Sequence, residues 1–98
     1  MLSAAISVPA ASQQIGDKEN GRVFVSGVCA ECHAVRADEE KSPLPSAPRF
    51  EDVANSPGRT AIALTVWFRS SHPTMPNIVL SDTQMHDVIE YILSLKKE

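Results

Sequence analysis

The chain contains two cysteines, Cys29 and Cys32, and His33 follows the second directly. Two cysteines permit one disulfide at most, too few for a disulfide-built mini-protein. Yet a chain of 98 residues needs some staple. Such a chain buries roughly two-thirds of its unfolded surface, which leaves the apolar core marginal. Only five residues are aromatic (Phe24, Phe50, Trp67, Phe68 and Tyr91), so large side chains add little to that core. Small domains in this position usually add a disulfide, a metal or a cofactor. What the chain can fold into therefore depends on what Cys29, Cys32 and His33 hold.

The run Cys29-Ala30-Glu31-Cys32-His33 has the C-x-x-C-H pattern of covalent haem attachment. Two thiols about one helical turn apart can each form a thioether with one of the two vinyl groups on a porphyrin edge. The adjoining imidazole is then placed to ligate the iron from below. The alternatives are weaker. A zinc site lacks a second cysteine pair, and His72 and His86 lie at irregular gaps from the first. A thioredoxin-like pair wants a βαβ context, and no strand pattern precedes the motif. A simple Cys29–Cys32 disulfide leaves His33 unexplained. The second axial ligand expected is Met75, in the proline-clamped stretch Ser71-His72-Pro73-Thr74-Met75-Pro76-Asn77. His72 is its competitor, whereas Met85 lies on an apolar helical stripe and reads as core. His/Met ligation raises the reduction potential relative to two histidines.

Nine Lys plus Arg against twelve Asp plus Glu, net charge −3 with no basic tract, argues against nucleic-acid binding. No run approaches the roughly 20 apolar residues of a membrane span. Residues 1–11 (MLSAAISVPAA) are small and apolar. They read as the later part of an export signal or as a short tail, followed by one domain over 12–98.

Three helical stretches are expected. The first, Asp17 to Val28, starts acidic and has Val23, Phe24 and Val28 on one face. Gly21 in its middle implies close approach by another element, or a tolerated defect. Phe50 to Ala54 can form a short helical turn, and Thr60 can cap a helix to about Arg69. In that helix Ile62, Leu64, Val66, Trp67 and Phe68 are expected mostly inward. Ser81 and Gln84 form a capping-box pair, with Leu80 stapled to Met85. Behind them Met85, Val88, Ile89, Ile92 and Leu93 recur at helical spacing, and Lys96 and Lys97 suit the C-terminal dipole. The fold reads as all-α.

Over roughly residues 15–98 the chain resembles the small bacterial class I c-type cytochromes. Gly16-Asp17 and Gly21-x-x-Phe24 look like that family's first helix, and Asp87-Val88-Ile89-Glu90-Tyr91-Ile92 like the C-terminal helix that crosses it. Leu64-x-x-Trp67-Phe68 before His72-Pro73-x-Met75-Pro76 is similar to the family's helix before the methionine loop. The resemblance implies these elements wrapped around one covalent haem c. Ala47-Pro48-Arg49-Phe50 resembles a further element in which the Pro48 carbonyl accepts the Nδ1 proton of His33. Pro43 and Pro45 lie close enough that Pro48 can also be an ordinary loop proline. Trp67 would flank the haem and donate to a propionate, or simply fill core.

Function follows from the resemblance. A His33/Met75-ligated haem has no free iron site, so the expected role is one-electron transfer, not catalysis. Redox partners would meet an exposed haem edge transiently, and the carrier would be a periplasmic monomer. The alternatives are a haem subunit of a larger oxidoreductase or, if Met75 does not coordinate, a ligand-binding or sensor protein. The acidic residues Asp38-Glu39-Glu40 and Glu51-Asp52 form either a solvated face or a steering patch for a basic partner.

Overall fold

The computed structural model describes residues 15–70 and 79–97. Four helices follow in order: α1 (Lys18–Val28), α2 (Phe50–Asn55), α3 (Ala61–Phe68) and α4 (Asp82–Ser94). A 3-10 turn, Cys29–Glu31, continues directly from α1. Among the described residues there is no strand, and the all-α expectation holds.

Each long helix starts where its sequence provides a cap. The Asp17 carboxylate accepts from the backbone N–H groups of Glu19 and Asn20, at 2.9 and 3.2 Å. Thr60 caps α3 through Ala63 N–H. The capping box of α4 is complete: Gln84 N–H donates to Ser81 Oγ at 3.1 Å, and Ser81 N–H to Gln84 Oε1 at 3.0 Å. Leu80 packs against the core beside it.

The core lies where α1 crosses α4. Gly21, Val25 and Val28 recur at positions i, i+4 and i+7, one stripe of a helix. Val25 is fully buried, as are Val88 and Ile89 of α4. At Gly21 the two helices touch backbone to backbone. A Cβ there would sit 2.0 Å from the Asp87 carbonyl oxygen and 2.9 Å from Tyr91 Cβ. No residue larger than glycine fits without moving α4, so Gly21 is the crossing point and not a tolerated defect. Gly16 makes the same kind of approach to the His86 carbonyl. The Asp17 N–H donates to the buried carboxylate of Asp87 at 2.8 Å, fixing the start of α1 on α4.

Three expectations need correction. Val23 is 60% exposed, because the glycine contact rotates α1 so that Val25 faces inward instead. In α3, Leu64 is buried and Phe68 packs partly against the core, whereas Ile62, Val66 and Trp67 face outward. An eight-residue helix that is apolar on every side can turn only one stripe toward α4. Lys96 and Lys97 lie beyond the last turn of α4. There Lys97 N–H donates to Asn55 Oδ1 at 2.7 Å, while Asn55 Nδ2 donates to the Leu95 carbonyl at 3.2 Å. The last residue of α2 thus satisfies the end of α4 in place of the lysines.

Candidate functional site

The N-terminal helix delivers the cysteines. As α1 tightens into the 3-10 turn, Cys32 N–H and His33 N–H both donate to the Cys29 carbonyl, at 3.1 and 2.9 Å. Cys29, Cys32 and His33 therefore share one turn. Both cysteines are free thiols and both are half-buried. Burial, and secondarily the neighbouring Cys32, pushes the Cys29 thiol up to about 11. A nucleophilic redox cysteine needs the opposite shift, so the thioredoxin-like alternative loses its chemical basis.

His33 is held on two sides. Its ring packs at a tilt on Phe50, with centroids 5.1 Å apart. Its Nδ1 lies 2.7 Å from the Pro48 carbonyl oxygen. A carbonyl can only accept, so Nδ1 carries a proton, and in the neutral imidazole the lone pair then lies on Nε2. That is the tautomer a metal-ligating histidine requires.

The chain on either side of His33 is tied down by hydrogen bonds from four separate segments. Leu44 N–H donates to the Cys32 carbonyl at 3.1 Å, and Phe50 N–H to the Ala34 carbonyl at 2.9 Å. Ala34 N–H donates to Ser42 Oγ at 2.9 Å. The Glu39 carboxylate accepts from Val35 N–H and Arg36 N–H, at 3.2 and 3.1 Å. The Tyr91 hydroxyl donates to the Val35 carbonyl at 2.6 Å across 56 residues of sequence. Ser42, Glu39 and the Tyr91 hydroxyl carry no sequence signal for these roles, because each bonds backbone that only the folded loop brings near.

The acidic residues belong largely to the same scaffold. Arg49 forms a two-pronged pair with Asp52, Nε to Oδ2 at 2.9 Å and Nη2 to Oδ1 at 2.8 Å. It also donates to the Glu39 carbonyl at 3.3 Å. Hydrogen bonding from Arg49 holds the Asp52 carboxyl below its usual range. Arg36 lies 3.4 Å from Asp38. Glu39, Asp38 and Asp52 are thus engaged within the molecule, which leaves little of the cluster free to steer a partner.

Of the other candidates, Trp67 lies on α3, 40% exposed and edge-on to Phe68. Met75 and its competitor His72 lie outside the described residues. The donors present fit a haem: two free thiols on one turn, a histidine whose Nδ1 is bonded to Pro48 so that Nε2 is the nitrogen left for a ligand, and apolar surface on α3. A further donor, Arg59 Nε, is buried with no hydrogen-bond partner, which suits a group carrying carboxylates.

The comparisons agree with this chemistry. The family model for Cytochrome c matches residues 18–96, from the start of α1 past the end of α4. Cytochrome c-552 of Bradyrhizobium diazoefficiens is 30% identical over 95 residues, covering 97% of this chain and 90% of that protein. No solved structure matches the chain. A Cys29-x-x-Cys32-His33 turn, crossing terminal helices and a family match over most of the length lead to one conclusion: the chain belongs to the cytochrome c family, electron-transport proteins that carry covalent haem c.

Proposed function

We propose that the protein is a periplasmic one-electron carrier and not an enzyme, with Cys29 and Cys32 tethering one haem and His33 and Met75 as its axial ligands. The observation that carries this reading is the 2.7 Å contact between His33 Nδ1 and the Pro48 carbonyl. Haem c supplies the Fe(III)/Fe(II) couple. The chain's own residues do the rest. Pro48 keeps the proton on Nδ1 and makes His33 a stronger donor through Nε2. Phe50 fixes the ring plane. The hydrogen bonds around residues 32–36 keep that geometry the same in both oxidation states, so little reorganisation accompanies electron transfer. Met75 as the second ligand would leave the iron no open site for substrate, and Trp67 would lie beside the haem.

No helix among the described residues is long and apolar enough to cross a membrane. Thioether attachment outside the cytoplasm, as the family resemblance implies, supports the periplasm. Partners meet the haem edge transiently, and the carrier works as a monomer.

The ligand assignment is tested by the oxidised absorption spectrum. A sulfur-to-iron charge-transfer band that disappears in Met75→Ala supports His/Met ligation. Its absence from the wild type, or ready carbon monoxide binding by the native ferrous protein, contradicts it.

A further inference from the structure

The helix crossing accounts for Gly21 but not for the residue before it. Of the three asparagines in the chain, Asn20 alone precedes a glycine. In a flexible chain such a pair deamidates, because no Cβ on the next residue keeps its backbone nitrogen from the asparagine side chain. The Gly21 nitrogen loses its proton and bonds to Asn20 Cγ, ammonia leaves, and a five-membered succinimide closes. Water then opens the ring at one of its two carbonyls. One opening gives an ordinary aspartyl residue. The other gives a β-aspartyl link, which runs the backbone through the side chain and lengthens it by one atom.

Apart from access to water, the fold withholds what the first step needs. Asn20 is exposed, but it lies in α1. In a helix each side chain leans toward the N-terminus, away from the nitrogen that follows it. The Gly21 N–H is itself engaged, donating to the Asp17 carbonyl at 3.0 Å. On its other side the Gly21 backbone is pressed against Asp87, with no room even for a Cβ. Nor does the first turn of α1 end freely. Asp17 N–H is bonded to the buried Asp87 carboxylate at 2.8 Å, and Gly16 lies against the His86 backbone. Freeing the Gly21 nitrogen therefore requires α1 to leave α4.

We propose that Asn20-Gly21 is a deamidation site locked by the docking of α1 on α4, and that its β-aspartyl product can no longer dock. The added backbone atom falls immediately before Gly21. It shifts that glycine off the Asp87 carbonyl and breaks its bond to Asp17. The ordinary aspartyl product is harmless by contrast, since it places a carboxylate in the first turn of α1, where the helix dipole favours it. A docked chain keeps Asn20, and a chain left undocked is steadily converted to a form that cannot assemble.

The test holds purified holoprotein at mildly alkaline pH, in buffer and in guanidinium. Peptide mapping by mass spectrometry follows Asn20, Asn55 and Asn77 and separates the two aspartyl products. In guanidinium Asn20 is expected to convert first. In buffer its conversion should be slower by about tenfold or more, because reaction waits for the helices to open. Asp87→Ala removes the acceptor of Asp17 N–H and should raise the rate in buffer severalfold. On return to buffer, chains with the β-aspartyl link should fail to regain the wild-type melting transition. Asn20→Asp holoprotein should melt within a few degrees of wild type. Equal Asn20 rates in buffer and guanidinium, a folded Asp87→Ala that reacts no faster than wild type, or a β-aspartyl chain that melts normally would overturn the proposal. So would an Asn20→Asp protein as damaged as the β-aspartyl chain, since charge and not the added atom would then be at fault. The wild-type comparison decides the matter even if Asp87→Ala does not fold.

Discussion

Among the described residues, the α1–α4 crossing and the stretch around His33 are both tightly specified, and by different physics. The crossing is held by contact: Gly21 against the Asp87 backbone, with Val25, Val88 and Ile89 sealed beneath. Residues 32–36 are held by hydrogen bonds, drawn from Ser42, Leu44, Glu39, Pro48, Phe50 and Tyr91. At the crossing the cost of a change is set first by volume. In the hydrogen-bonded stretch, where Ala34 and Val35 are buried too, losing one partner also leaves a buried backbone group unsatisfied. A redox carrier needs both: a rigid frame, and a ligand whose orientation and proton are set.

Substitutions separate the two, and the largest effect is expected at the crossing. Gly21→Val drives side-chain atoms into the Asp87 carbonyl and should cost about 3 kcal/mol or more in thermal unfolding of the holoprotein. A melting temperature within a few degrees of wild type would mean that the helices do not meet at Gly21.

Tyr91 belongs to both regions, since its Cβ lines the crossing and its hydroxyl reaches Val35. Tyr91→Phe keeps the packing and removes only the hydrogen bond, for an expected loss of about 1–2 kcal/mol. It should also change the response to alkali. Burial raises the Tyr91 pKa above its ordinary value. That stabilisation is complete below the ordinary tyrosine pKa of about 10 and is lost as pH rises through the raised value. Urea unfolding followed from pH 8 upward should therefore decline more steeply in wild type than in Tyr91→Phe.

Ser42→Ala leaves Ala34 N–H without its acceptor and should cost about 1 kcal/mol by the same measurement. A neutral result would show that water replaces the hydroxyl. The smallest effect belongs to the exposed Arg49–Asp52 pair. The lowered Asp52 pKa gives a contribution present above the usual aspartate value and lost as pH falls through the lowered one. Asp52→Asn should remove only a slight, salt-sensitive part of the acid denaturation profile.

The two regions also differ in how far the sequence discloses them. Periodicity places α4 and its capping box, and the family resemblance gives Gly21 its reason, because packing leaves a regular mark along the chain. Even so, Val23 and Val25 exchange places, since one glycine contact sets the rotation of α1. The C-x-x-C-H run is legible because its chemistry needs adjacent residues. Ser42 and Glu39 are not legible, because a loop's bonds depend on where the folded backbone passes. Arg59 looks like any surface arginine until its Nε is seen to be buried without a hydrogen-bond partner.

The central claim is that Cys29 and Cys32 hold haem by thioether bonds beside a histidine prepared to ligate iron. Extraction of the purified protein with acidified acetone, followed by a pyridine haemochrome of both fractions, tests it most directly. The account predicts that all the haem stays with the polypeptide, that Cys29→Ala/Cys32→Ala loses it, and that the haem-free chain melts without a sharp cooperative transition. Haem that passes wholly into the acetone, or a double variant that retains it covalently, would contradict the account.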